Sequence, residues 1–184
     1  MEQFLPLSVY GVSISHPSDW KIFINPNTKF TFDEGQIKID KVKGPKEKST
    51  SLTIRWAKMN HEITLDEYIE ELEQQFKKKE KKSRNKDRYS IVEKTKCMVN
   101  GVEAFLLHQE FVANHSIYRI LGKDELVKVL QIMIYSKNTQ RMIVASLLTT
   151  PEELKENEQI LKEILFSLRE ETNEREKTEL RLAK

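Results

Sequence analysis

The side chains with the most evident chemistry in this 184-residue chain are four histidines, one cysteine and a dense run of cations. His16, His61, His108 and His115 are scattered, and no two of them have metal-ligand spacing on one element. His108 and Glu110 stand two residues apart, so on a strand they share a face and, with a third ligand, could grip a metal ion. A strand histidine more often only hydrogen-bonds, and no metal is expected. Cys97 has no second cysteine to pair with, which excludes an internal disulfide and a cysteine-built zinc site. Its apolar surroundings make it a small core residue rather than a nucleophile. With only five glycines there is no phosphate-cradling loop, and no Gly-x-Ser-x-Gly elbow occurs. The acid pairs Asp66/Glu67 and Glu152/Glu153 open predicted helices, where negative charge favours the helix dipole. The expectation is a protein without catalytic residues, cofactor or metal.

The cations are concentrated between Lys77 and Arg88, where Lys77, Lys78, Lys79, Lys81, Lys82, Arg84, Lys86 and Arg88 face only Glu80 and Asp87. That segment carries +6 of a chain whose net charge is +2, so the remainder sums to −4. Such a cluster could neutralise phosphates of nucleic acid or lie on an anionic membrane surface, in either case with strong salt dependence. The plainer reading is a solvated helix end and loop, with cations well placed at a helix C-terminus. No aromatic is interleaved before Tyr89, and the low net charge argues against a generally cationic nucleic-acid binder.

The elements that carry these residues centre on 91–149, which reads as four consecutive strands of one antiparallel sheet. Strand 90–99 runs into Asn100-Gly101, the dipeptide best able to supply two positive φ angles to a hairpin turn. In 102–113, Phe105, Leu107 and Phe111 oppose Val102, Ala104, Leu106 and Val112; in 126–135, Leu126, Leu130, Ile132 and Ile134 oppose Val127, Val129, Met133 and Tyr135. Residues 142–148 are also apolar on both sides. Such strands need cover on both faces, so helices or further β-structure should pack on each side. Thr64 and Glu67 form a capping box ahead of the stripe Leu65, Tyr68, Ile69, Leu72 and Phe76. Thr150, Pro151 and Glu153 repeat the signal ahead of Leu154, Leu161, Ile164, Leu165 and Leu168. Earlier, 10–16 alternates as a half-buried strand ended by Pro17-Ser18-Asp19, 29–33 and 36–42 flank a hairpin at Glu34-Gly35, and 51–59 places Leu52, Ile54 and Trp56 on one face. A loop is expected at 43–51 and connections at Asn114-His115, 121–124 and 137–139. Trp20 and Trp56 read as core anchors. In 169–184 five basic and five acidic residues alternate without Gly or Pro, giving a charged helical extension or tail beyond a single domain at 1–168.

The run Val12-Ser-Ile-Ser-His-Pro-Ser-Asp-Trp20 resembles the opening motif of the PsbP-like superfamily, a short strand entering a Pro-x-x-Trp turn. The order of later elements is similar too, with Thr64-Leu-Asp-Glu-Tyr68 opening a first helix, a strand pair around Asn100-Gly-Val-Glu-Ala104, and Thr150-Pro-Glu-Glu153 opening a last helix. Over 10–168 the resemblance implies an α+β fold, an antiparallel β-sheet flanked by helices in an α/β/α sandwich. It also implies a non-catalytic accessory protein acting through protein–protein contacts with a partner yet to be named. The acidic surface motif of the Ran-binding branch and the lumenal targeting segment of the photosystem branch are not found, so neither specific activity carries over. Two alternative functions are nucleic-acid or anionic-surface binding through Lys77 to Arg88, and a small-molecule carrier with a pocket lined by Trp20, Trp56 or Phe105. The start of the chain has no signal-peptide pattern and no stretch approaches the roughly 18 apolar residues of a membrane span, so a cytoplasmic protein is expected.

Overall fold

Asn100 and Gly101 adopt φ angles of 48° and 83° in the computed structural model of the chain, which describes residues 3–41, 50–84, 87–114 and 124–171. The described elements, in chain order, are strands β1 (Phe4–Val9), β2 (Val12–Pro17), β3 (Lys21–Phe23), β4 (Glu34–Asp40) and β5 (Ser51–Lys58), and helix α1 (Leu65–Lys82). Strands β6 (Arg88–Val99), β7 (Val102–Asn114), β8 (Asp124–Ser136) and β9 (Arg141–Thr149), helix α2 (Pro151–Phe166) and strand β10 (Arg169–Glu170) complete them. The two left-handed residues at Asn100-Gly101 form the predicted tight turn and set Val99 opposite Val102. Seven strands build one antiparallel sheet in the order β3-β4-β5-β9-β8-β7-β6, while β1, β2 and β10 form a small second sheet with β2 in its middle.

Period-two alternation divides the interior into two cores, one on each face of the large sheet. Ala104, Leu106, Leu130, Ile132 and Ile134 join Ile37, Ile39, Leu52, Ile54 and Trp56 beneath Leu161, Ile164 and Leu165 of α2, with Val12 and Ile14 of β2 at the side. On the opposite face Phe105, Leu107, Met133, Met142 and Val144 pack under Leu65 and Ile69 of α1. This is the α+β antiparallel sheet between helices that the doubly apolar strands demand.

The capping box that opens α1 is complete. Thr64 Oγ1 accepts the Glu67 N–H at 3.2 Å and Glu67 Oε2 accepts the Thr64 N–H at 2.8 Å. These bonds to Thr64 hold the Glu67 carboxyl below its usual range, so the box is intact at neutral pH and is lost as pH falls through the lowered value. Thr64→Ala is expected to destabilise the chain by about 1 kcal/mol in urea unfolding. An unchanged midpoint would mean that α1 is held by packing alone.

Three expectations are corrected. Tyr10 is not strand: with φ of 47° it forms, together with Gly11 at 74°, a second tight turn that joins β1 to β2. β1 escapes sequence pattern because most of its residues are exposed. Glu34-Gly35 is not a turn, and 29–33 is not a strand; both Glu34 and Gly35 lie inside β4, whose hairpin partner is β3. Gly35 is there because the Trp56 indole fills the space above it, and a Cβ would stand 2.1 Å from Trp56 Cζ2. α1 itself continues past its apolar stripe to Lys82. No helix runs into Arg169: α2 ends at Phe166, and Arg169–Glu170 pairs with Ser13 and Val12 of β2. Most of the 43–51 loop, His115, 121–123 and residues 172–184 lie outside the described residues.

Candidate functional site

Within the basic segment, Lys77 to Lys82 form the C-terminal turns of α1 and Arg88 begins β6. Phe76 of α1 stacks on Tyr89 of β6 with centroids 5.1 Å apart, and Tyr89 stacks on Phe111 of β7 at 4.5 Å. Glu80, the acid amid the lysines, turns inward so that its Oε1 accepts the Tyr89 N–H at 2.9 Å, and buried Ser83 Oγ accepts the Asp87 N–H at 3.0 Å. These contacts continue the helix past the apolar stripe, and they turn the one acid of this helix end away from the outward lysines. Lys77, Lys78, Lys79, Lys81, Lys82, Arg84 and Arg88 are exposed, with Lys79 Nζ 5.6 Å from the Tyr89 ring centroid; Lys86 lies outside the described residues. Lys29, Lys38, Lys41, Lys94, Lys96, Lys128, Lys137 and Lys162 all have carboxylate partners. Among the described residues Lys77, Lys78, Lys81, Lys82 and Arg84 have none.

The other candidates are drawn into structural roles. His108 and Glu110 do share a face, but Glu110 is bonded to Lys128 and His108 Nδ1 stands 3.9 Å from Glu93. No group of three metal-ligating side chains forms among the described residues. His16 is buried with Nδ1 2.8 Å from the Pro17 carbonyl oxygen, and His61 is exposed. Cys97 is half-buried, and burial pushes its thiol up, away from the reactive thiolate. A carrier pocket lined by Trp20, Trp56 or Phe105 is not found among the described residues. Trp20 and Trp56 belong to the core under α2, Phe105 to the core under α1, and none of the three lines a described cleft. A cleft of about 540 Å³ does open at the sheet end, where Thr64, Val102, Tyr135 and Lys137 line it. The Tyr135 hydroxyl is buried there without a described partner.

Sequence reasoning missed one surface altogether. β3 closes one end of the strand order, so its outer edge has no described strand partner. Ile22, Phe23 and the following Ile24 are 43%, 48% and 50% exposed along that edge. Three successive apolar residues lack any period, which is why this stretch gave no strand signal.

No family model matches the chain, and no curated protein matches it in sequence. Its architecture, however, is shared. The solution structure of cyanobacterial PsbP from Synechocystis sp. PCC 6803 superposes with a TM-score of 0.66 at 11% identity, covering 93% of this chain and 94% of that one. The chain has the PsbP-like fold. The Saccharomyces cerevisiae Ran-binding protein Mog1p shares it with a TM-score of 0.55 at 13% identity, over 92% of this chain and 96% of that one. A Pseudomonas aeruginosa protein of unknown function, PA94, described as a putative regulator, follows with a TM-score of 0.52 at 14% identity, over 92% and 98%. At these identities the likeness concerns the fold alone.

One charge of this PsbP-like domain is fully enclosed. Arg141, the first residue of β9, is 0% exposed and donates from Nε and Nη2 to Glu170 Oε1 at 2.8 and 2.6 Å. Its Nη1 donates to the Tyr10 and Phe32 carbonyls, each at 2.8 Å, and Thr139 Oγ1 donates to the same Glu170 oxygen at 2.6 Å. Three donors thus converge on one Glu170 oxygen, and the buried guanidinium clamps β9 to β10 and to the β1–β2 turn. Among the described residues no helix is long and apolar enough to cross a membrane.

Proposed function

We propose that this PsbP-like protein is a non-catalytic accessory protein that binds another protein through the edge of β3. The observation that carries the reading is the exposed run Ile22-Phe23-Ile24 on a sheet edge without a described strand partner. An apolar edge strand is a template for further pairing, and natural proteins blunt such edges with charge unless they use them. A partner strand would gain backbone hydrogen bonds and bury the three side chains, the mode known as strand addition. That Mog1p is named for binding another protein accords with the reading. Enclosure of Arg141, the raised Cys97 thiol and the hydrogen-bonded His16 argue against catalysis at those groups.

Affinity capture from native lysate, comparing the chain with a Phe23→Lys/Ile24→Lys variant of unchanged circular dichroism, tests this. Expected is a defined, nuclease-resistant protein partner whose recovery falls at least about tenfold in the variant, as for loss of a buried apolar anchor. Equal recovery by both forms, or turnover in a broad hydrolase and transferase panel abolished by one side-chain substitution, would overturn it.

A further inference from the structure

The outward face of α1 separates its charges into two blocks. Asp66, Glu67, Glu70, Glu71 and Glu73 are exposed in the first half, and Lys77, Lys78, Lys81 and Lys82 in the second. The helix dipole favours that order only within the first and last turns, whereas both blocks reach the middle of the helix. Segregation also forgoes most of the Glu-to-Lys pairs four residues apart that a mixed, solvated helix would gain. The blocks are symmetric about Gln74: Asp66 and Lys82, Glu67 and Lys81, Glu70 and Lys78, and Glu71 and Lys77 each stand equally far from it. With Leu65, Ile69, Leu72 and Phe76 turned to the sheet, 3.6 residues per turn places Glu67, Glu70, Gln74, Lys78 and Lys81 on the opposite side.

We propose that two copies of the chain associate through these faces, their α1 helices antiparallel across a twofold axis at Gln74. In such an isologous contact every pairing is made twice, Glu70 to Lys78 of the second copy and Lys78 to its Glu70. Asp66 already reaches Lys94 at 2.7 Å and Glu67 serves the cap, so Glu70 and Glu71 with Lys77 and Lys78 form the centre. Those four have no ion pair within their own chain among the described residues. A second copy has a charge order complementary to the whole face. A phosphate polyanion along the helix would be drawn to one half and repelled by the other. The contact has no apolar anchor, so it is weak and sensitive to salt.

Sedimentation equilibrium of the full chain tests the proposal. Expected is a monomer–dimer equilibrium whose association constant falls at least about tenfold between about 50 mM and 500 mM salt, as screening shortens the reach of exposed charges. Glu70→Lys/Glu71→Lys and Lys77→Glu/Lys78→Glu should each be monomeric alone and form a heterodimer when mixed, while Phe23→Lys/Ile24→Lys should dimerise as the parent does. A monomer at every salt concentration, dimers that survive both reversals, or no association on mixing would overturn it. So would a chain that stays monomeric yet binds a short DNA duplex through Lys77 and Lys78, which would make the partner a polyanion.

Discussion

Arg141→Ala is expected to lower the free energy of unfolding by about 3–5 kcal/mol, the cost of removing one member of a buried ion pair. The guanidinium joins four segments: the β1–β2 turn through Tyr10, the approach to β4 through Phe32, the start of β9, and β10 through Glu170. Its carbon also lies 4.0 Å from the Phe32 ring centroid. Alanine would leave the Glu170 carboxylate, itself 6% exposed, with only Thr139, and would strip a donor from two carbonyls. Arg141→Lys should recover only part of the loss, because an ammonium has no planar fork with which to bridge these acceptors at once. Urea unfolding of the three proteins measures this. A loss under about 1 kcal/mol for alanine would place the pair in the range of surface salt bridges and contradict the clamp.

Gly35→Ala should be nearly as disruptive. The added carbon would lie 2.1, 2.6 and 2.7 Å from three atoms of the Trp56 ring. That ring cannot retreat: it is fully buried, its Nε1 donates to the Thr31 carbonyl at 2.9 Å, and Phe30 and Tyr10 crowd it at 5.7 and 6.4 Å between centroids. The expected cost is about 1–3 kcal/mol or more, as for overpacked cores. Trp56→Leu vacates the space, so in that background the same substitution should cost much less. A double-mutant cycle should give a coupling of at least about 1 kcal/mol; additive effects would mean that Gly35 is present for some reason other than Trp56.

Much of the fold is legible in the sequence wherever burial imposes a period. β7, β8 and β9 follow from apolar residues on two faces, β5 from alternation on one, β6 and its turn from Asn100-Gly101, and both helix starts from Thr64 and Thr150 with their acidic partners three residues on. β1 and β3 follow no period, because their side chains face mostly water. Arg141 reads as a cation beside a turn, since its carboxylate partner lies 29 residues away in a stretch of evenly mixed charge. The basic run is plain in composition, but the stacking of Phe76 on Tyr89 and Phe111 beside it exists only after β6 and β7 pair. The apolar β3 edge is a property of strand order, and local pattern does not specify which strand ends a sheet.

The most direct measurement of the binding claim is backbone amide hydrogen exchange across Lys21–Phe23, in the free chain and in the captured complex. Strand addition at β3 predicts fast exchange there in the free protein and clear protection in the complex, with β6 at the other end of the sheet unchanged. Unaltered exchange at β3 in a complex that protects some other surface would contradict it.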